Sequence, residues 1–185
     1  MTPAASRWIG VALLGALVVH AVVDKLPGRK LAEMLFACHV FTVIMALGLL
    51  WRRPAPVLLG LTFHLGVGLS TFVFSAIALR KLAPTSLLVH LGPVAAGLWA
   101  LRGQPAGALP AWTILASPAI FAAMLVLSRW RTPRALNVNQ AHAPWPSLAR
   151  RFPALWQWWS AMVGFTAVTV ALAWLLLVGV LPRAS

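Results

Sequence analysis

Residues 55–79 read APVLLGLTFHLGVGLSTFVFSAIAL: 25 positions without one Asp, Glu, Lys or Arg. Arg52-Arg53-Pro54 precedes this run and Arg80-Lys81 follows it. A helix needs about 20 apolar residues to cross a hydrocarbon core about 30 Å thick. This stretch is long enough and is punctuated at both ends by cations. Five more runs of the same kind follow from the same test, at 7–26, 31–51, 83–101, 108–129 and 154–182. Leu26-Pro27-Gly28 and Arg102-Gly103-Gln104-Pro105 break the pattern elsewhere. Pro84 suits the first turn of the fourth run, where a missing N–H costs little. Pro182 closes the last.

Composition agrees. Hydrophobic residues make up 61% of the 185-residue chain and charged residues 9%, with a mean hydropathy of +0.88. A soluble domain carries about 25% charged residues, so this chain has too few to cover a wet surface. The expected fold is an all-α, single-domain membrane bundle over 1–185, with about six spans. The first run lacks a small-x-small cleavage site before Asp24 and reads as a retained span rather than a signal peptide.

Fifteen Lys and Arg against two acids give a net charge of +13. The cations fall in ones to threes between apolar runs, not in the continuous stripe that nucleic acid requires. No nucleic-acid partner is expected. Their sidedness is more informative. The N-terminal segment, the 2–3 and 4–5 connections and the C-terminal segment carry five (Arg7, Arg52, Arg53, Arg102, Arg183), and the other connections ten. The richer side is cytoplasmic by the positive-inside rule. Both termini are then outside a membrane of bacterial inner-membrane type, with anionic headgroups as the cations' partners. Trp8, Trp51, Trp99, Trp112, Trp130, Trp156, Trp158 and Trp159 sit near span ends, as an aromatic belt would.

Around the long connection 129–153, Trp145, Leu148, Phe152, Leu155, Trp156 and Trp159 recur at helical spacing beside Arg150 and Arg151. The stripe predicts a short interfacial helix on the cytoplasmic leaflet, broken near Pro153; the alternative is a plain basic loop held by anionic lipid.

Intramembrane ionisable groups mark function by default. Each of the first four runs holds a histidine: His20, His39, His64 and His90. His142 lies in the long connection. His20 and Asp24 share a helix face, so the carboxylate can fix the imidazole tautomer; Asp24 could equally serve as a cap or pair with Lys25. Gly60, His64, Gly68, Thr71 and Ser75 form a small, polar stripe suited to a helix–helix seam. The topology puts His20, Cys38, His39 and His90 in the cytoplasmic half, with His64 nearer the middle. One chemistry for such a group is a Cys38 nucleophile with His39 or His90 as base, and Asn137 or Asn139 as orienter. Another is a metal or haem site on His20 and His64. A third is purely structural hydrogen bonding within an accessory subunit.

The order Leu35-Phe36-Ala37-Cys38-His39, Phe63-His64-Leu65-Gly66-Val67-Gly68, Val89-His90-Leu91-Gly92, Asn137-Val138-Asn139 and Pro144-Trp145-Pro146 resembles the YwaF-type bacterial integral membrane proteins and a related eukaryotic transmembrane acyltransferase. The resemblance spans about residues 31–160. It implies lipid acyl transfer, with only Cys38 and His90 carried over as thiol nucleophile and base. That family has seven spans, a histidine before its Leu-Cys, and an Asn-Tyr-Met; this chain has no Tyr. Substrate, oligomeric state and any membrane-protein partner stay open, as does whether the chain is an enzyme at all.

Overall fold

Apolar runs interrupted by Pro, Gly and cations fold into six helices with no strand among the described residues. The computed structural model describes residues 2–79, 85–102, 104 and 109–180. The helices are α1 (Pro3–Lys25), α2 (Ala37–Trp51), α3 (Pro54–Phe63, His64–Gly68 and Leu69–Leu79), α4 (Ser86–Leu101), α5 (Thr113–Arg131) and α6 (Leu155–Val180). α1, α3, α5 and α6 are each long and apolar enough to cross a membrane. α2 and α4 are apolar but shorter, at 15 and 16 residues. The second run, expected over 31–51, begins with a 3-10 turn at Leu31–Leu35 and becomes α-helical only at Ala37. Arg80, Lys81, Pro84, Gly103, Pro105, Pro182 and Arg183, with the punctuation and charge assignments made for them, lie outside the described residues.

Start signals are local. Thr2 caps α1, its hydroxyl oxygen accepting from Ala5 N–H, and Pro3 follows at the first helical position. Pro54 starts α3 in the same way. α2 ends on Arg52 in the left-handed conformation (φ 59°). Glycine takes that position without strain; a side chain there costs about 1–2 kcal/mol.

Two helices widen into π turns. Ala21–Lys25 ends α1, and His64–Gly68 interrupts α3. Single π turns inside α-helices recur at functional sites.

The interior forms two apolar clusters, one at each end of the bundle. Leu13, Met45, Ala46, Leu49, Leu58 and Leu61 fill one. Phe41, Phe63, Phe121, Leu125 and Trp158 fill the other, with Phe41 and Phe63 stacked at 3.8 Å. Large apolar side chains also point outward, among them Ile77, Leu115, Leu172 and Leu176. A water-facing surface would expose few of these; a lipid-facing one requires them.

The small residues of α3 behave as a seam. A Cβ built on Gly60 would lie 2.8 Å from Phe41 O and 2.7 Å from Met45 Cβ of α2. Gly60→Ala is expected to destabilise by about 1–3 kcal/mol, the usual cost of overpacking. Thermal unfolding in detergent checks this; an unchanged midpoint would mean that the α2–α3 contact yields freely.

The long connection holds no interfacial α-helix. Residues Arg134–Leu136 and Val138–Gln140 form single 3-10 turns, and turns continue to residue 151. Asn137, Asn139 and Gln140 have positive φ, and Pro144, Pro146 and Pro153 offer no N–H, so a continuous helix cannot form. Its apolar stripe packs inward: Trp145, Leu148 and Phe152 lie against the Phe41–Trp158 cluster. Trp158, expected in the belt, is buried with its indole N–H donating to Gln140 O at 3.0 Å. Trp130 and Trp156 remain exposed at that end of the bundle.

Candidate functional site

Three of the intramembrane histidines come together at one end. His20 is the last residue of regular α1, just before its π turn. Its Nδ1 lies 2.7 Å from Thr85 Oγ1 and 3.1 Å from Asp24 Oδ2. The Thr85 hydroxyl donates to that same carboxylate oxygen. Both remaining contacts are to oxygens able to accept, so Nδ1 carries the proton. His39 Nδ1 faces the carbonyl of Glu33 at 3.2 Å, and His90 Nδ1 faces the carbonyl of Ser86 at 2.8 Å. A carbonyl only accepts, so these nitrogens too are the N–H of the ring. In each neutral imidazole the lone pair is therefore on Nε2. None of the three Nε2 atoms bonds to protein among the described residues.

His20, His39 and His90 line one cavity of about 400 Å³. The His20 and His39 rings are 5.1 Å apart between centroids, and Phe72 stacks on His90 at 4.6 Å. Phe36, Phe63, Phe121 and Trp145 supply apolar wall. Lys25 and Glu33 stand at the same cavity as an ion pair of 2.6 Å, tying the π turn of α1 to the 3-10 turn before α2. Asp24, read from sequence as a partner for either His20 or Lys25, takes His20 and Thr85 instead of Lys25.

Cys38 shares that cavity as a free thiol. It is the second residue of α2, at the positive end of the helix dipole, in a first turn whose Ala37, His39 and Val40 N–H groups are already paired. The first N–H of the helix, that of Ala37, is capped from far away in sequence: Asn139 Oδ1 accepts it at 2.7 Å. Asn139 Nδ2 donates to Leu35 O and to Ser128 Oγ, both at 2.8 Å. Asparagine tolerates the left-handed backbone found there (φ 54°). The side chain of Asn139 thus fixes the turn that presents Cys38. Among the described residues no imidazole is hydrogen-bonded to Cys38 Sγ; the thiol and the three imidazoles line one space.

His64 is set apart. It is fully buried behind the cavity wall, with Nε2 at 2.9 Å from Thr42 Oγ1. Thr42 donates its own hydroxyl to Cys38 O, so Nε2 supplies the N–H of this bond. Its Nδ1 has no partner and sits against Gly68, where a Cβ would come within 2.9 Å. His20 and His64, paired from sequence as metal ligands, are thus not brought to a common cavity. No group of three His, Cys, Asp or Glu among the described residues is arranged to hold a metal ion. His142 stays in the long connection, bonded to Arg129 and to Asn137. Ser75, placed on the polar stripe, has no described side chain.

The sequence pointed to Cys38, His20, His39, His90, Asn137 and Asn139 at this end, and all six line the cavity. It did not point to Thr85, Phe72 or the Lys25–Glu33 pair. Thr85 lies within the fourth run but meets His20 and Asp24 only across more than 60 residues, and the ion pair closes across a turn whose geometry a hydropathy pattern does not encode.

No family model, curated protein or solved structure matches the chain.

Proposed function

We propose that the chain is a six-span membrane protein that moves an acyl group from a membrane lipid through Cys38. The observation that carries this reading is the shared cavity: a thiol in the first turn of a helix and three imidazoles whose Nε2 atoms have no protein partner among the described residues. A neighbouring imidazole takes the thiol proton; His90 and His39 are the candidate bases. The thiolate attacks a lipid ester carbonyl, a thioester forms, and the lysolipid leaves as an alcohol carrying the proton returned by the imidazolium. An acceptor alcohol or amine then attacks the thioester and restores the thiol. The apolar wall suits an acyl chain, and the resemblance to the YwaF-type proteins and the acyltransferase points the same way.

Six crossings are supported by where the short helices end. α2 starts at the Cys38 cavity and finishes at Arg52; α4 starts beside His20 and finishes at Leu101, next to Arg52. Both traverse the bundle although they are shorter than the bilayer core. The long connection then closes the cavity end as an irregular cap instead of an interfacial helix. The two-to-one excess of cations at the cavity end supports a cytoplasmic position for it, with both termini outside a bacterial inner membrane.

The test is intact-mass measurement after incubating the full chain with phospholipid in nanodiscs. An acyl adduct that hydroxylamine removes is expected; an unmodified mass under turnover conditions would sink the reading.

A second reading rests on the tautomers. A histidine whose Nδ1–H is held by carbonyl or carboxylate oxygen presents Nε2 as metal ligands do. Two of His20, His39 and His90 could hold a transition metal or haem iron. Purified protein would then carry stoichiometric metal or a Soret band, lost in His39→Ala; a colourless, metal-free sample with intact acyl transfer rejects this reading.

A further inference from the structure

A second pocket lies at the far end of the bundle from the histidines. Thr2, Ser6, Arg52, Arg53, Arg102 and Gln104 wall a space of about 140 Å³. Arg52, Arg53 and Arg102 all line it, and among the described residues no carboxylate does. The two acids of the chain, Asp24 and Glu33, are both at the histidine end, engaged by His20, Thr85 and Lys25.

Two further observations point to a built anion site. Arg52 occupies a left-handed position at which glycine would be free of strain, so the chain keeps a guanidinium where the backbone favours none. Thr2 Oγ1 already accepts the Ala5 N–H, which leaves its hydroxyl proton to donate into the pocket. The space is several times a water's share of liquid, about 30 Å³, and so has room for a phosphate group. Arginine forks match phosphate oxygens two at a time.

Depth identifies the source. Trp8, Trp51, Trp99 and Trp112 stand on the helix ends that converge here, and all are exposed, at 71, 66, 43 and 56%. Indoles in this arrangement mark the headgroup level of a bilayer. We infer that this pocket binds a phosphate-bearing anion, seated by Arg52, Arg53 and Arg102, and that an acidic phospholipid headgroup supplies it. The inference stands independently of the chemistry proposed for Cys38.

The test places the full chain in nanodiscs of phosphatidylcholine with or without phosphatidylglycerol and follows thermal unfolding by tryptophan fluorescence. Phosphatidylglycerol is expected to raise the midpoint. Native mass spectrometry is expected to find it retained. In Arg52→Gly/Arg53→Gln/Arg102→Gln its affinity should fall by about tenfold or more, since each lost fork contact is charge-assisted. Arg52→Gly alone relieves the strained backbone and serves as the folded control: weaker binding with no loss of stability in phosphatidylcholine. Inorganic phosphate added in detergent separates the sources. If it reproduces the shift, the same site takes a free anion; if it does not, the headgroup is the ligand. A phosphatidylglycerol shift that survives in the triple variant, or no response to either anion, overturns the inference.

Discussion

Cys38→Ala is expected to abolish acyl transfer and the hydroxylamine-labile adduct while leaving the fold in place. The chain has one thiol, and among the described residues no cavity-lining hydroxyl is hydrogen-bonded to an imidazole; Thr85, outside the lining and bonded to His20, is committed to Asp24. Loss of a covalent nucleophile removes the two-step route altogether, so turnover should drop by about a thousandfold or more. The structural cost is small, because removing one partly buried sulfur opens a void near methyl size, worth about 1 kcal/mol. His90→Gln and His39→Gln then sort the base: the one that acts on the thiol should depress the rate of adduct formation, and the other should not. Undiminished transfer by Cys38→Ala would remove Cys38 from the chemistry, whatever the histidines do.

Asn139→Ala should produce the largest loss of stability among single changes at this end. Asn139 is nearly buried and makes three hydrogen bonds that join the long connection, α5 and the start of α2. Alanine leaves the Ala37 N–H without its acceptor and has no side chain suited to a left-handed backbone. A buried group stripped of its partner costs about 1–3 kcal/mol, so the combined loss should be about 3–4 kcal/mol, or roughly 6–16 °C for a chain of this size. Asn139→Asp keeps the acceptor for Ala37 but loses both donated bonds, and should fall between. Adduct formation at Cys38 should fall along with stability in Asn139→Ala, because the first turn of α2 loses its cap. A variant that melts with the native protein would show that α2 begins firmly without help from the connection.

Hydropathy made the bundle legible, because lipid exposure demands long apolar stretches whatever their partners. It also placed the polar end correctly: His20, Cys38, His39 and His90 are separated by tens of residues but fall at matching depths along antiparallel helices, and depth is a one-dimensional property. Rotation around a helix is less legible. His64, nearer the middle of its span, faces Thr42 of α2 and Gly68 of its own π turn instead of the cavity. Contacts that close over long separations, such as Asn139 to Ala37 or Thr85 to Asp24, have no local signature. The interfacial helix failed for a legible reason given too little weight: three prolines and an Asn-rich stretch outrank a short apolar stripe.

The π turns also carry a count. Each spends one residue more per turn than an α-helix, which offsets everything before it from everything after it by about 100°. Deleting one residue from Ala21–Lys25 would restore an unbroken α-helix of nearly the same length and hydropathy. A bilayer would accept that shortened span without complaint. Its histidine and its lysine, however, could no longer both look toward α2 and α4. Chains that differ here by a single codon would share every crossing but not this placement of histidine and lysine, so spacing at this turn, more than overall hydropathy, sets whether the cavity keeps its polar wall.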